Sequence, residues 1–197
     1  MELPVSQPRT IAVLVGSLRK DSASRKVAKA IAALSPTGYR YEIVEIGDLP
    51  LFDQDLEAEP PKAWVDFRDK IRPADAVLFV TPEFNRSVPG ALKNAVDIGS
   101  RPYGQGVLIG KPAAIVSTSA GPLGGFGANH HLRQSLSFLN MPLLGQPETY
   151  VGNILGLFDD NGELINEGTA EFLRGFANSF AQWIEAHQPA GLERQAA

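Results

Sequence analysis

Five short apolar runs alternate with segments of helical periodicity along this chain, and that alternation restricts the fold more than any other feature. The runs are residues 11–15 (IAVLV), 41–46 (YEIVEI), 76–80 (AVLFV) and 113–116 (AAIV), with a weaker fifth within 143–151. The first, third and fourth are continuous rather than alternating, as in strands covered on both faces. The second alternates more and is expected at a sheet edge. Between them, Val27, Ile31 and Leu34 repeat at helical spacing, as do Trp64, Phe67 and Ile71, then Leu92, Ala95 and Val96, then Leu132, Leu136 and Leu139. A final stripe of Phe172, Phe176, Phe180, Trp183 and Ile184 predicts a helix over 169–187. Alternating strands and helices imply a parallel sheet with helices packed on both faces.

Five strands match the doubly wound, flavodoxin-like α/β order 2-1-3-4-5. The 197 residues are expected to form a single domain over 1–197, with 1–9 and 188–197 as flexible tails. Charge and composition narrow the function. Net charge is −4 with no basic run, which gives nucleic-acid binding little support. There are no cysteines, so disulfide, thiolate-metal and dithiol redox chemistry are excluded. The N-terminal stretch lacks the apolar core of a signal peptide, and no apolar run approaches a membrane span. A cytoplasmic enzyme without membrane or nucleic-acid partners is expected.

In an open α/β sheet, ligands bind beyond the carboxyl ends of the strands where the strand order reverses, here between strands one and three. The loops leaving strands one, three and four should meet there. The first, GSLRKDSAS (16–24), enters a helix N-terminus. Its serine hydroxyls, Arg19 and free N–H groups suit a terminal phosphate monoester such as that of FMN. It matches neither the Walker A loop nor the GxGxxG fingerprint. It reads equally as an N-capping loop with Ser24 as the cap; Asp21 would repel an anion unless turned away. The second, TPEFNRSVPG (81–90), is stiffened by two prolines. It is either a structural turn or the edge support of a flat ring. The third, STSAGPLGGFG (117–127), carries four glycines, and is either a backbone-donor site or a flexible linker.

Taken together, GSLRKDSAS, TPEFNRSVPGALKNAVD and STSAGPLGGFGANHHLRQ resemble the NADPH-dependent FMN reductase family, especially its quinone and chromate reductase branch. The resemblance runs from Ile11 to the last helix. It implies that Ser17, Arg19, Ser22 and Ser24 hold the FMN phosphate. It implies that Pro82, Glu83, Phe84 and Asn85 line the flavin, and that Ser119, Ala120, Gly121, Gly124 and Gly125 contact the isoalloxazine. Asn is frequent in the family where this chain has Ser24, and Tyr where it has Phe84. The implied activity is hydride transfer from NADH or NADPH to flavin N5, then electron transfer to a small acceptor at the same site. Quinone is the first candidate; chromate, ferric chelate, azo compound and free flavin are others. The chemistry resides on the flavin, so no catalytic side chain is required. The alternative is a flavodoxin-type electron carrier without nicotinamide turnover. The resemblance also implies a homodimer or homotetramer, with His130, Arg133 and Glu148 as candidate interface residues. Arg86 and Arg101 are candidate contacts for a 2′-phosphate. The acidic stretch Asp53, Asp55, Glu57 and Glu59 reads as a solvated loop, not a metal site, and Glu45 and Asp48 as ordinary strand-end charges.

Overall fold

The computed structural model describes residues 8–188. Its elements in chain order are β1 (Arg9–Val15), α1 (Ala23–Leu34), β2 (Tyr39–Ile43), α2 (Lys62–Ile71), β3 (Ala76–Pro82), α3 (Gly90–Gly99), β4 (Ala113–Thr118), α4 (Phe126–Phe138), β5 (Thr149–Val151) and α5 (Glu167–Ala186). The five strands form one sheet in the order β2-β1-β3-β4-β5, every neighbouring pair parallel. The doubly wound flavodoxin-like architecture expected from the sequence is present.

Why the central strands are apolar throughout follows from the layers. Ala12, Leu14, Val77, Phe79, Ala113 and Ile115 face α2, α3 and α4. Their sequence neighbours Ile11, Val13, Ala76, Leu78, Ala114 and Val116 face α1 and α5 on the other side. Successive strand side chains point to opposite faces, so both sets must be apolar when both faces are covered.

Three details depart from the sequence reading. The second strand is Tyr39–Ile43 rather than 41–46, because its ladder starts where Arg9 pairs with Tyr39. Val44 follows the strand, its N–H still donating to the Val13 carbonyl at 2.9 Å, and both it and Ile46 remain buried. In α5 the buried stripe is Leu173, Phe176, Ala177, Phe180, Ala181 and Ile184. At about 100° per residue, Phe172 and Trp183 fall at the stripe's edge; Phe172 is exposed, and the Trp183 indole donates to the Pro142 carbonyl at 2.9 Å. The expected tails lie outside the described residues except for Pro8, Arg9 and Gln188. Arg9 opens β1 and makes a two-pronged contact with Glu185 of α5, both bonds 2.8 Å. No helix among the described residues is long and apolar enough to cross a membrane.

Candidate functional site

The loop after β1 begins at Gly16, whose N–H donates to the Val80 carbonyl at 2.8 Å. A Cβ there would stand 3.1 Å from both Leu92 and Thr81 and 3.2 Å from Pro82. A residue without a side chain thus lets the first loop lie directly against the third strand's exit. Ser17 is buried, while Leu18 and Arg19 are exposed. Ser22 is the N-cap of α1, its hydroxyl accepting from Arg25 N at 3.1 Å. This corrects the expectation that Ser24 caps the helix. Ser24 lies inside the first turn, buried, with its hydroxyl 2.8 Å from that of Thr118 at the end of β4.

Backbone donors give the first test of fit to a phosphate. Among the described residues, the N–H groups of Ser17 through Ser24 find no acceptor, whereas the next two, Arg25 and Lys26, are bonded to Ser22. A row of free donors at a helix start attracts an anion. Asp21 does not oppose one: Lys26 lies 2.6 Å from its carboxylate and holds its pKa below the usual value, by hydrogen bond and by charge. Arg19 has no ion-pair partner among the described residues, leaving its guanidinium available.

After β3 the chain makes a two-residue hairpin. Phe84 and Ser87 exchange both backbone hydrogen bonds at 3.0 Å. Asn85 and Arg86 between them have φ of 53° and 63°. Positive φ at both central residues is the type I′ turn, adopted here without glycine. Phe84 is 56% exposed, so its ring is open to solvent at the loop. Glu83 points elsewhere: its Oε2 accepts from Ala128 N in the first turn of α4 at 3.1 Å.

The loop after β4 is not a flexible linker. Ser119 N donates to Val151 O at 3.0 Å, Ile154 N to Ser119 O at 3.2 Å and Asn153 N to Gly121 O at 3.2 Å. The Ser119 hydroxyl accepts from Gly121 N at 3.1 Å. Two of its glycines serve the chain's own packing. At Gly124 (φ +59°) a Cβ would come 2.6 Å from the Tyr150 backbone, and at Gly125 (φ +78°) 3.1 Å from Ser117. Ala120 is exposed, and a Cβ at half-buried Gly121 would meet only the Ser119 hydroxyl, at 3.8 Å, so the first half of this loop is its open part.

The three loops therefore meet pairwise: Gly16 against Thr81 and Pro82, Ser24 against Thr118, and Glu83 with Arg86 against Gly127. Thr118 and Ser87 belong to this assembly and were not singled out by the sequence, and His131, expected as a surface or interface residue, joins it through Ser87. Other candidates separate. Arg86 stays at the hairpin tip, largely exposed. Arg101 follows the far end of α3, a ten-residue helix and hence about 15 Å long. There it pairs with Glu57 at 3.2 Å and lies over the Phe52 ring, so it does not join the loops. Arg133 is engaged inside its own chain, donating to Asn129 and to the Leu144 carbonyl. His130 lies 2.9 Å from the Tyr150 hydroxyl and 3.8 Å from Glu148; burial, and then Glu148, push the tyrosine up to about 12. In the acidic stretch, Asp53 caps a short turn by accepting from Asp55 N. Glu45 pairs with Arg25.

Comparison with known proteins agrees with this geometry. The family model for NADPH-dependent FMN reductases matches residues 9–156. A quinone reductase of Pseudomonas putida is 58% identical over 185 residues, covering 93% of this chain and 99% of the relative. A 2-hydroxy-1,4-benzoquinone reductase of Burkholderia is 44% identical over 174 residues, covering 88% and 95%. Among solved structures, FerB, a flavoenzyme NAD(P)H:(acceptor) oxidoreductase from Paracoccus denitrificans, superposes with a TM-score of 0.85 at 41% identity, over 91% of this chain and 98% of the other. With the loops of β1, β3 and β4 converging as they do, the chain belongs to the NADPH-dependent FMN reductase family and is an oxidoreductase that works with FMN and a reduced nicotinamide.

Proposed function

We propose that this protein is an FMN-dependent NAD(P)H:quinone oxidoreductase. The observation that carries the reading is the row of free N–H groups from Ser17 to Ser24, set where the loops of β1, β3 and β4 meet. Those donors, the Ser17 hydroxyl and Arg19 would hold the phosphate. The Ser22 hydroxyl already accepts from Arg25, so its own proton is free to be donated to a phosphate oxygen. Ser24 contributes its N–H, because its hydroxyl is shared with Thr118. Pro82, Phe84, Asn85 and the Ser119-Ala120-Gly121 segment would bound the ring system. FMN held there supplies the two-electron chemistry: a hydride from NAD(P)H and one proton convert a quinone to its hydroquinone, leaving NAD(P)⁺.

Phe84, more than half exposed, offers a flat apolar surface against which a planar acceptor can stack. This favours planar acceptors over chromate and ferric chelates, and the names of the two relatives above favour quinones over azo compounds and free flavin. Arg86, exposed at the hairpin tip, would meet the 2′-phosphate of NADPH. The reading includes a cytoplasmic homo-oligomer. In support, Tyr103 and Phe138 are exposed by 82% and 83% beside a groove of about 980 Å³ between α3 and α4, a face that a second copy could cover. Steady-state kinetics with NAD(P)H and quinone both varied tests the alternating use of one site. Parallel double-reciprocal lines are expected; lines that converge throughout would contradict it.

A further inference from the structure

The hairpin after β3 is held in an uncommon conformation by groups that have no part in the chemistry above. Asn85 and Arg86 are both at positive φ, a region that non-glycine residues seldom enter unless the surroundings fix them there. Two contacts tie it to α4, one at each foot, and within the hairpin Arg86 also reaches Glu83 Oε1 at 3.5 Å. At the first foot, the Glu83 carboxylate is largely buried and accepts from Ala128 N at the start of α4, where free N–H groups and the helix dipole favour a negative charge. At the second foot, the Ser87 hydroxyl lies 2.7 Å from His131 Nδ1. Gly127 lets the hairpin come this near: a Cβ there would stand 2.9 Å from both Glu83 Oε2 and the Arg86 carbonyl. Gly127 and His131 are four residues apart, on one face of α4. A single helix face therefore receives both feet, and the tip carrying Phe84 and Asn85 projects from it.

We infer that Glu83 and His131 are positioning residues, which anchor the Phe84-Asn85-Arg86-Ser87 hairpin on α4 and thereby fix the aromatic and amide edge of the flavin site. The inference rests on the FMN reading above. It reassigns Glu83, which by resemblance lines the flavin, to acting through Phe84 and Asn85. It also gives His131 a role distinct from that of its neighbour His130, which turns toward Tyr150.

The test uses the full-length chain with Glu83→Ala, Glu83→Gln, His131→Ala and His131→Asn. Gln keeps an acceptor oxygen at the first foot, and Asn keeps a polar atom near the place of Nδ1. Two quantities are read: amide hydrogen exchange at Phe84 and Ser87 in the apoprotein, and the FMN dissociation constant from flavin fluorescence. Both alanine variants are expected to speed the exchange and weaken FMN by about tenfold, the factor carried by one hydrogen bond of ordinary net strength. Gln and Asn are expected to restore both to within about threefold, because they restore that bond. Should an alanine variant fail to fold, Glu83→Leu and His131→Gln serve instead: one fills the same space without an acceptor, the other carries its polar atoms beyond the Nδ1 position. Alanine variants that match the wild type in exchange and affinity would overturn the inference. So would a loss that Gln and Asn leave unrepaired. A wild-type protein that binds no FMN, with the exchange effects as expected, would instead overturn the FMN reading and the positioning role with it, leaving a purely structural clamp.

Discussion

Ser24→Ala removes one side of the contact that joins α1 to the end of β4. The two hydroxyls are 2.8 Å apart, and Ser24 and Thr118 are only 2% and 3% exposed. The substitution leaves the Thr118 hydroxyl buried without its partner, a loss of about 1–3 kcal/mol. For a chain of this length each kcal/mol lowers the melting temperature by about 2–4 °C, so a fall of about 2–12 °C is expected. Thr118→Val should destabilise for the mirror-image reason. The double variant removes both polar groups together and should be less destabilised than the sum of the two, with a coupling of roughly 1 kcal/mol or more. Thermal unfolding of the apoprotein is the assay, since bound FMN would add stabilisation of its own by mass action. A Ser24→Ala melt indistinguishable from wild type, or strictly additive single variants, would refute the reasoning.

The two glycine environments predict opposite signs. Gly124→Ala puts a Cβ into the Tyr150 backbone at positive φ and should cost about 2 kcal/mol or more. Gly175→Ala, in exposed mid-α5 with nothing near, should stabilise by up to about 1 kcal/mol; thermal melts distinguish them. Glu185 is held below its ordinary value of 4.5 chiefly by its hydrogen bonds from Arg9. Its contribution is therefore present above that value and lost as pH falls through the lowered one. Urea unfolding should show wild type more stable than Glu185→Gln at neutral pH, with the gap closing on acidification below pH 4.5. Arg19→Ala should weaken FMN by roughly 10- to 100-fold, the range for a hydrogen bond to a charged group, while leaving the apoprotein melt unchanged because Arg19 is exposed. Unchanged FMN affinity on equilibrium titration would remove Arg19 from the phosphate site.

What the sequence displays and what it conceals divides along physical lines. Strands buried on both faces, such as AVLFV, announce themselves because every position must be apolar. The edge strand β2 does not, since only one flank is paired and the alternation continues to Ile46, beyond the last β1 bond at Val44. The fifth strand is three residues long, set by backbone pairing with β4 that leaves little pattern in side chains. At the site, the serine-rich loop and its neighbours are visible as unusual loops at the right strand ends. Their interlocking is not. Ser24 with Thr118, and Ser87 with His131, are 94 and 44 residues apart, and no local pattern reports such pairs. Glycines are ambiguous for a related reason: Gly124 and Gly125 signal a close approach, but sequence does not say whether a ligand or the chain's own backbone approaches. Arg101 is a plausible phosphate contact by charge alone, and only the fold shows that it pairs with Glu57 away from the loops.

The central claim is that the loops of β1, β3 and β4 hold an FMN that a reduced nicotinamide can reach. Its most direct test is the visible absorption spectrum of the protein after loading with FMN and removing the excess, followed under anaerobic conditions by NADH or NADPH. The account predicts a retained flavin spectrum that bleaches on addition of the nicotinamide and recovers when a quinone is added. A retained spectrum that neither nicotinamide bleaches would contradict it and indicate an electron carrier instead.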